Sequence, residues 1–340
     1  MSYTLNLRYL VGKLEDTPGT METPTGDDFN VRVKNPEISP IIEWDDDAAK
    51  FASGNHGEEE AVAGAQSATI NFSIRMGMGD SVILEPNWAK YFNACGIKGA
   101  TVSTTGISYQ PLKEYDNKPI TIWVYDILTG SSSPTGLVYK FAGCKGNVTF
   151  GCEGIGKPWI ASFSFTGKCS DIADVANASL LDGADFDTAH PEKFLSNTLT
   201  IDTVNQCVTK FQLDAGNEIS PLYCQSEITG ITYYQITNRK PRFSCDPLMK
   251  SVATEDIWGD MISGLTGSQA INTVAVALAS DNFAINIPKA QQIQANLANR
   301  EGLVSWDDNY RCLANGWTGS VASATYEPEV TWELLLGTRA

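Results

Sequence analysis

The chain has 340 residues, 42% of them apolar, enough to fill the cores of two ordinary domains. Its formal net charge of −16 argues against gripping nucleic acid through clustered Lys and Arg, because neutralising phosphates takes the opposite sign. No segment reaches the roughly 18 apolar residues needed to cross a bilayer, and Met1-Ser2-Tyr3-Thr4-Leu5-Asn6 lacks the regions of a signal peptide, so synthesis and assembly in a cytosol are expected.

Leu5–Gly12 reads as a strand, closed by a turn at Pro18-Gly19. Phe29–Val33 is a short alternating strand leading into Asn35-Pro36-Glu37-Ile38-Ser39-Pro40. Next comes an acidic, glycine-containing loop over 45–66, too polar to pack on its own. Ile70, Phe72, Ile74 and Met76 then alternate with Asn71, Ser73 and Arg75, the period-two pattern of a half-buried antiparallel strand. A helix is expected from Pro86 to Gly96, with Trp88, Tyr91, Phe92 and Cys95 at helical spacing. Strands return at Ile120–Ile127, Leu137–Phe141, Asn147–Cys152 and Trp159–Thr166.

From Ser170 to Asn197 the residues become small and acidic, as in a connector between domains. Beyond it the first order recurs. Strands at Leu199–Val204 and Val208–Leu213 lead to Asn217-Glu218-Ile219-Ser220-Pro221 and the strand Gly230–Thr237. A helix capped by Thr254 follows, with Ile257, Trp258, Met261 and Ile262 as its apolar face. The last strands are Thr273–Ala279, Phe283–Ile287, Glu301–Trp306 and Glu329–Leu336. The paired markers Glu37/Glu218, Trp88/Trp258 and Glu153-Gly154/Glu301-Gly302 occur in one order, as in a duplicated chain. The expected division is one β domain at 1–175, a connector at 176–197 and a second β domain at 198–340. Only the first copy carries the long acidic loop.

Little points to catalysis. The two histidines, His56 and His190, lie in polar segments away from any nucleophile motif, and no phosphate-binding or metal-protease motif occurs. Asp45-Asp46-Asp47, Glu58-Glu59-Glu60 and Asp307-Asp308 lack calcium-loop spacing and read as solvated or interface carboxylates. No catalytic residue, cofactor or metal is assigned. The eight cysteines show no Cys-x-x-Cys spacing and are expected to be reduced, mostly as small buried apolar groups. Trp159, Trp258 and Trp332 fall in patterns that suggest core, whereas Trp44 and Trp317 suit exposed loops.

Several stretches taken in order carry a resemblance: Glu15-Asp16-Thr17-Pro18-Gly19-Thr20, Asn35–Pro40, Gly64-Ala65-Gln66-Ser67-Ala68, Ala94-Cys95-Gly96, Tyr109-Gln110-Pro111 and Gly143-Cys144-Lys145-Gly146-Asn147. They continue through Phe165-Thr166-Gly167, Ile236–Pro241, Pro288-Lys289-Ala290-Gln291 and Arg300-Glu301-Gly302. Over nearly its whole length the chain resembles the major tail tube proteins of long-tailed bacteriophages, in their two-domain form.

The resemblance implies a mainly β fold of tandem antiparallel β-sandwich or barrel-like domains, each with one flanking α-helix. It implies a structural virion protein, not an enzyme, in the tail. The chain would assemble with itself into rings, trimeric and pseudo-hexameric by preference and hexameric otherwise, stacked into a hollow tube for genome delivery. Tape measure and terminator proteins would be further partners; DNA would transit without specific binding, and no membrane would be involved. The strands carrying Ile70, Phe72, Ile74, Ile231, Tyr233 and Ile236 would form the inner barrel. Asp45, Asp46, Asp47, Asn55, His56, Glu58, Glu59 and Glu60 would stack ring on ring; the net charge of −16 would be met by carboxylates lining the lumen or, equally, by an acidic outer wall. Other duplicated phage β-sandwiches (decoration, baseplate, or adhesin and carbohydrate-binding modules) share the composition.

Overall fold

The computed structural model describes residues 2–28, 31–45, 61–77, 85–102, 106–111, 117–129, 135–176, 190–255, 258, 261, 273–314 and 331–337. The fold is mainly β and antiparallel. In the first half the strands are β1 (Ser2–Leu14), β2 (Val33–Asp45), β3 (Val62–Arg75), β4 (Ile97–Val102), β5 (Gly106–Pro111), β6 (Ile120–Thr129), β7 (Thr135–Cys152) and β8 (Ile160–Ala176). In the second half they are β9 (Thr198–Ile201), β10 (Val204–Gln206), β11 (Phe211–Asp214), β12 (Asn217–Tyr223), β13 (Ile231–Arg239), β14 (Arg242–Cys245), β15 (Val274–Ala279), β16 (Phe283–Arg300), β17 (Leu303–Cys312) and β18 (Glu333–Gly337). One helix, α1 (Ala89–Ala94), is shorter than its periodicity suggests, because Pro86 to Trp88 form a turn ahead of it.

Among the described residues sixteen strands join in one sheet, and β12–β13 form a separate hairpin packed over β7 and β8. Two runs of pairing have the same order. In the first half it is β1-β6-β7-β8-β3-β2, and in the second β9-β15-β16-β17-β14-β11. Even an irregularity repeats: the β6–β7 register slips between Ile120 and Ile122, and the β15–β16 register slips between Val274 and Val276. The two runs meet where Phe211–Asp214 of β11 pairs with Thr149–Cys152 of β7.

The alternation in β3 works as the sequence suggests. Ile70, Phe72 and Ile74 are buried, and Phe72 stacks on Phe163 at a ring-centroid distance of 5.2 Å and meets Tyr91 of α1 edge-on at 5.2 Å. Aromatic pairs of this kind add to the burial of their area. Phe92 continues the cluster to Phe150, and Phe150 to Trp332. Trp159 reaches Phe211 and Phe283, so the core runs unbroken from one half to the other.

Some expectations change. The Asn35–Pro40 stretch lies inside β2, which runs on to Asp45 and pairs with β3 from Val33 with bulges after Lys34 and Ile42. Pro36 and Pro40 are tolerated because β2 is an edge strand in the sheet order. Its partner β3 begins at Val62, so the segment between them narrows to 46–61, of which 46–60 lie outside the described residues. The strands expected at Leu137–Phe141 and Asn147–Cys152 are one strand, β7, bent by a bulge between Ala142 and Lys145. Gly143 sits in that bulge at φ 64°, where an added Cβ would lie 2.8 Å from the Cα of Tyr233. Strand β8 continues to Ala176, so Asp171 and Asp174 belong to it and not to the connector; 177–189 lie outside the described residues.

Trp258 is 55% exposed, against the expectation of core, while Trp159 and Trp332 are buried. Met261, on the same expected face, is also exposed; Ile257 and Ile262 lie outside the described residues. All eight cysteines are free thiols, with Cys95, Cys144, Cys152, Cys245 and Cys312 buried and Cys207 exposed.

Candidate lumen and assembly surfaces

Pairing fixes which side chains share a face, and one face of the large sheet is polar across eight strands. Glu37 of β2 lies opposite Asn71 of β3, Asn71 opposite Ser164 of β8, and Ser164 opposite Asn147 of β7. One step along, Thr149 of β7 lies opposite Asp214 of β11, then come Arg242 of β14, Arg311 of β17 and Gln291 of β16. Ser162 of β8 and Ser73 of β3 continue the Thr149 row, and the row beyond holds Arg75, Gln212, Ser244 and Asn309, so the surface is built mainly of hydroxyls and amides. Its charges are mixed, with Lys34, Arg75, Arg242 and Arg311 among Glu37, Asp214 and Asp307. A shallow groove lined by Asn35, Glu37, Asn71, Asn147, Ser162 and Ser164 runs over the first-half part of this face.

The seam between the halves is hydrogen-bonded by this face's own side chains. The Asp214 carboxylate accepts from Asn147 Nδ2 at 2.7 Å, the Gly216 amide at 3.0 Å and Thr149 Oγ1 at 3.4 Å. Asn147 Oδ1 accepts in turn from the Asn217 amide at 3.0 Å. Asn217 also donates to the carbonyls of Cys95 and Gly146 at 2.7 and 3.0 Å, tying the β12 start to α1 and β7.

On the opposite side of the first-half strands, Glu15 is fully buried. It accepts from the Gly143 amide at 2.6 Å, the Gly19 amide at 2.7 Å and Thr121 Oγ1 at 2.9 Å. Burial raises its pKa, and these three donors oppose that shift. The arrangement holds the turn at Pro18-Gly19 and the β7 bulge in one place; it is a structural network.

The second surface is the arm formed by the far ends of β2 and β3. Ile41, Ile42, Trp44 and Val62 are all exposed there. The arm rests on the β12–β13 hairpin: Tyr223 donates to Glu43 at 3.1 Å and the Gln66 amide donates to the Thr229 carbonyl at 3.2 Å, while Lys168 of the adjacent β8 reaches Glu227 at 3.4 Å. Contiguous exposed apolar side chains on such a projection mark an interaction surface.

Of the residues singled out from sequence, Ile70, Phe72 and Ile74 lie in β3 and Ile231, Tyr233 and Ile236 in β13. Five of the six are buried against the core, with Tyr233 half-buried. The other face of β3 is therefore half-buried Asn71 and Ser73 with exposed Arg75, the partners in the same alternation. Asp45 ends β2, whereas Asp46, Asp47, Asn55, His56, Glu58, Glu59 and Glu60 lie outside the described residues. Sequence reasoning missed the polar row on β8, Ser162 and Ser164, although its signal was present in the alternation of Ala161, Phe163 and Phe165. Among the described residues no helix is long and apolar enough to cross a membrane.

The model of one protein family, described as phage tail tube protein, matches residues 6–300. A search of curated proteins finds no match.

Proposed function

The chain belongs to the phage tail tube protein family, a structural component of the virion tail, and from that premise we propose that it closes into rings which stack as the hollow conduit for the genome. The observation that carries this is the strand order found twice in one sheet, β1-β6-β7-β8-β3-β2 and β9-β15-β16-β17-β14-β11. Two equivalent units per chain, divided near 176–197, give a pseudo-sixfold ring from three chains. Closing a sheet on itself removes the exposed edges that otherwise invite uncontrolled pairing. A heterologous contact whose rotation closes gives a ring of this kind.

In this reading the polar face lines the lumen. A wall mainly of hydroxyls and amides, in which Lys34, Arg75, Arg242 and Arg311 are interspersed with Glu37, Asp214 and Asp307, offers a passing duplex no continuous basic track to hold it. That replaces the acid-lined lumen expected from net charge alone; the acidic excess then belongs to other surfaces. The arm ending in Trp44 and Val62, with the 46–60 segment at its tip, makes the contact between stacked rings. Tape measure and terminator proteins are the further partners.

Negative-stain microscopy of the concentrated purified chain tests the reading. Hollow tubes whose end-on views carry sixfold-like density built from three chains are expected. Isolated particles at every concentration would refute it.

A further inference from the structure

Four strand edges matter at the ends of the two repeated runs, and inside the chain only two of them are joined. Beyond the end of β6, the β7 edge at Thr149–Cys152 is taken by β11. Beyond the end of β15, the matching edge of β16 from Gln291 to Arg300 has no partner among the described residues, since β17 occupies the other side. Likewise the outer edge of β11 is covered by β7, whereas β2, its counterpart, pairs among the described residues with β3 alone.

Burial records the difference. Phe150, on the covered stretch of β7, is fully buried against Phe92 and Trp332. Leu297, on the uncovered stretch of β16, faces the same side as its buried partner Trp306 yet is 61% exposed. Leu303 and Val304, at the same hairpin tip, are 58% and 52% exposed. An open edge with an apolar tip is a template for another strand.

We propose that β2 of one copy pairs antiparallel with the Gln291–Arg300 edge of β16 in a second copy, reproducing between chains the β7–β11 junction within one chain. The partner is this same chain, and the inference rests on the ring reading above. The pairing is centred on Val33 and Lys34, which precede the β2 bulge as Leu213 and Asp214 precede the break before β12. A residue with positive φ follows in each case, Asn35 at 49° and Gly216 at 65°. Further along β2, Pro40 supplies no amide donor, which confines the junction to this end. The contact is heterologous, one edge against a different edge, and so propagates around a ring.

The face assignments choose the test. Lys34 lies on the polar face with Gln294, Asn296 and Ala298 of β16. In a Cys207→Ser background, Lys34→Cys is combined in turn with Gln294→Cys, Asn296→Cys and Ala298→Cys, and assembled tubes are oxidised. One register is expected to give covalent multimers whose linked peptides contain positions 34 and the β16 cysteine. Tubes that form normally in all three variants with no such link overturn the edge pairing while leaving the ring reading intact. Wild-type chain that never forms rings overturns both. Separately, Leu297→Glu changes a side chain already exposed in the single chain. It is expected to keep the wild-type melting profile and lose ring formation by more than tenfold in yield. Normal tubes from Leu297→Glu overturn the pairing.

Discussion

Asn147 donates its side-chain amide to Asp214 at 2.7 Å across the β7–β11 seam, so the two halves of the chain are joined by side chains as well as by the strand ladder. Removing the acceptor strands three donors at once. Asp214→Ala is expected to lower stability by about 1–3 kcal/mol, the cost of leaving a buried donor without its acceptor. A urea titration checks it, and a double-mutant cycle with Asn147→Ala should show coupling of at least about 0.5 kcal/mol. Strict additivity would assign the seam to backbone pairing alone.

Asp308 gives a pH dependence of known sign. Its carboxyl is pushed up to about 7, chiefly by burial, with Glu255 and Asp307 adding repulsion and the Tyr310 hydroxyl opposing. Unfolded, the group returns to an ordinary value near 3.8. Between those two values the folded chain holds a proton that the unfolded chain has lost, so this group's contribution to stability falls as pH rises. Asp308→Asn should remove that slope and raise stability above pH 7 by more than about 1.4 kcal/mol, the worth of one pKa unit. Melts of both proteins at pH 4.5 and pH 7.5 check it; parallel curves would count against it.

Gly143→Ala tests the bulge in β7. The position has φ 64°, and the new methyl would meet the Tyr233 backbone at 2.8 Å. Both effects act against folding, so a loss exceeding about 1 kcal/mol is expected. The variant's denaturation midpoint should drop with an unchanged slope.

The lumen assignment predicts an effect on DNA and none on folding. Ser162→Arg with Ser164→Arg places two cations on the exposed face of β8. Tubes should form normally, and DNA ejection from virions carrying them should slow, with partial recovery as salt screens the phosphates. Unchanged ejection would move the lumen to another face.

Replacing residues 48–60 by a short turn leaves β2 and β3 at their full lengths. The expected product is a soluble chain that melts like wild type and forms rings without stacking them. Tubes of normal length in the microscope would remove the segment from the ring contact.

How legible this fold was depended on the distance over which each signal acts. The alternation of Ile70, Phe72 and Ile74 is local and specified β3 correctly, because period two leaves one face for the core. Strand β7 was divided because Gly143 and Gly146 look like turn residues, whereas they serve a bulge inside one strand. Prolines at 36 and 40 disguised β2, since only its place at the edge makes them acceptable. The β7–β11 seam left no local trace: Phe150 and Leu213 each carry an ordinary strand pattern, and their pairing depends on the whole sheet order. Trp258 kept helical spacing with its neighbours, yet spacing alone does not say whether another strand lies over that face.

In the ring proposed above, the β7–β11 seam also bears on the speed of assembly. Where six separate units must meet, five associations precede ring closure and each competes with dilution. In a ring of three chains, half the junctions are made when each chain folds, at an effective concentration set by the connector and not by the solution. Ring formation should then depend on a lower power of protein concentration than in a ring of six separate units. Incomplete rings would always end on one β2 edge and one β16 edge, a matched pair ready for the next chain.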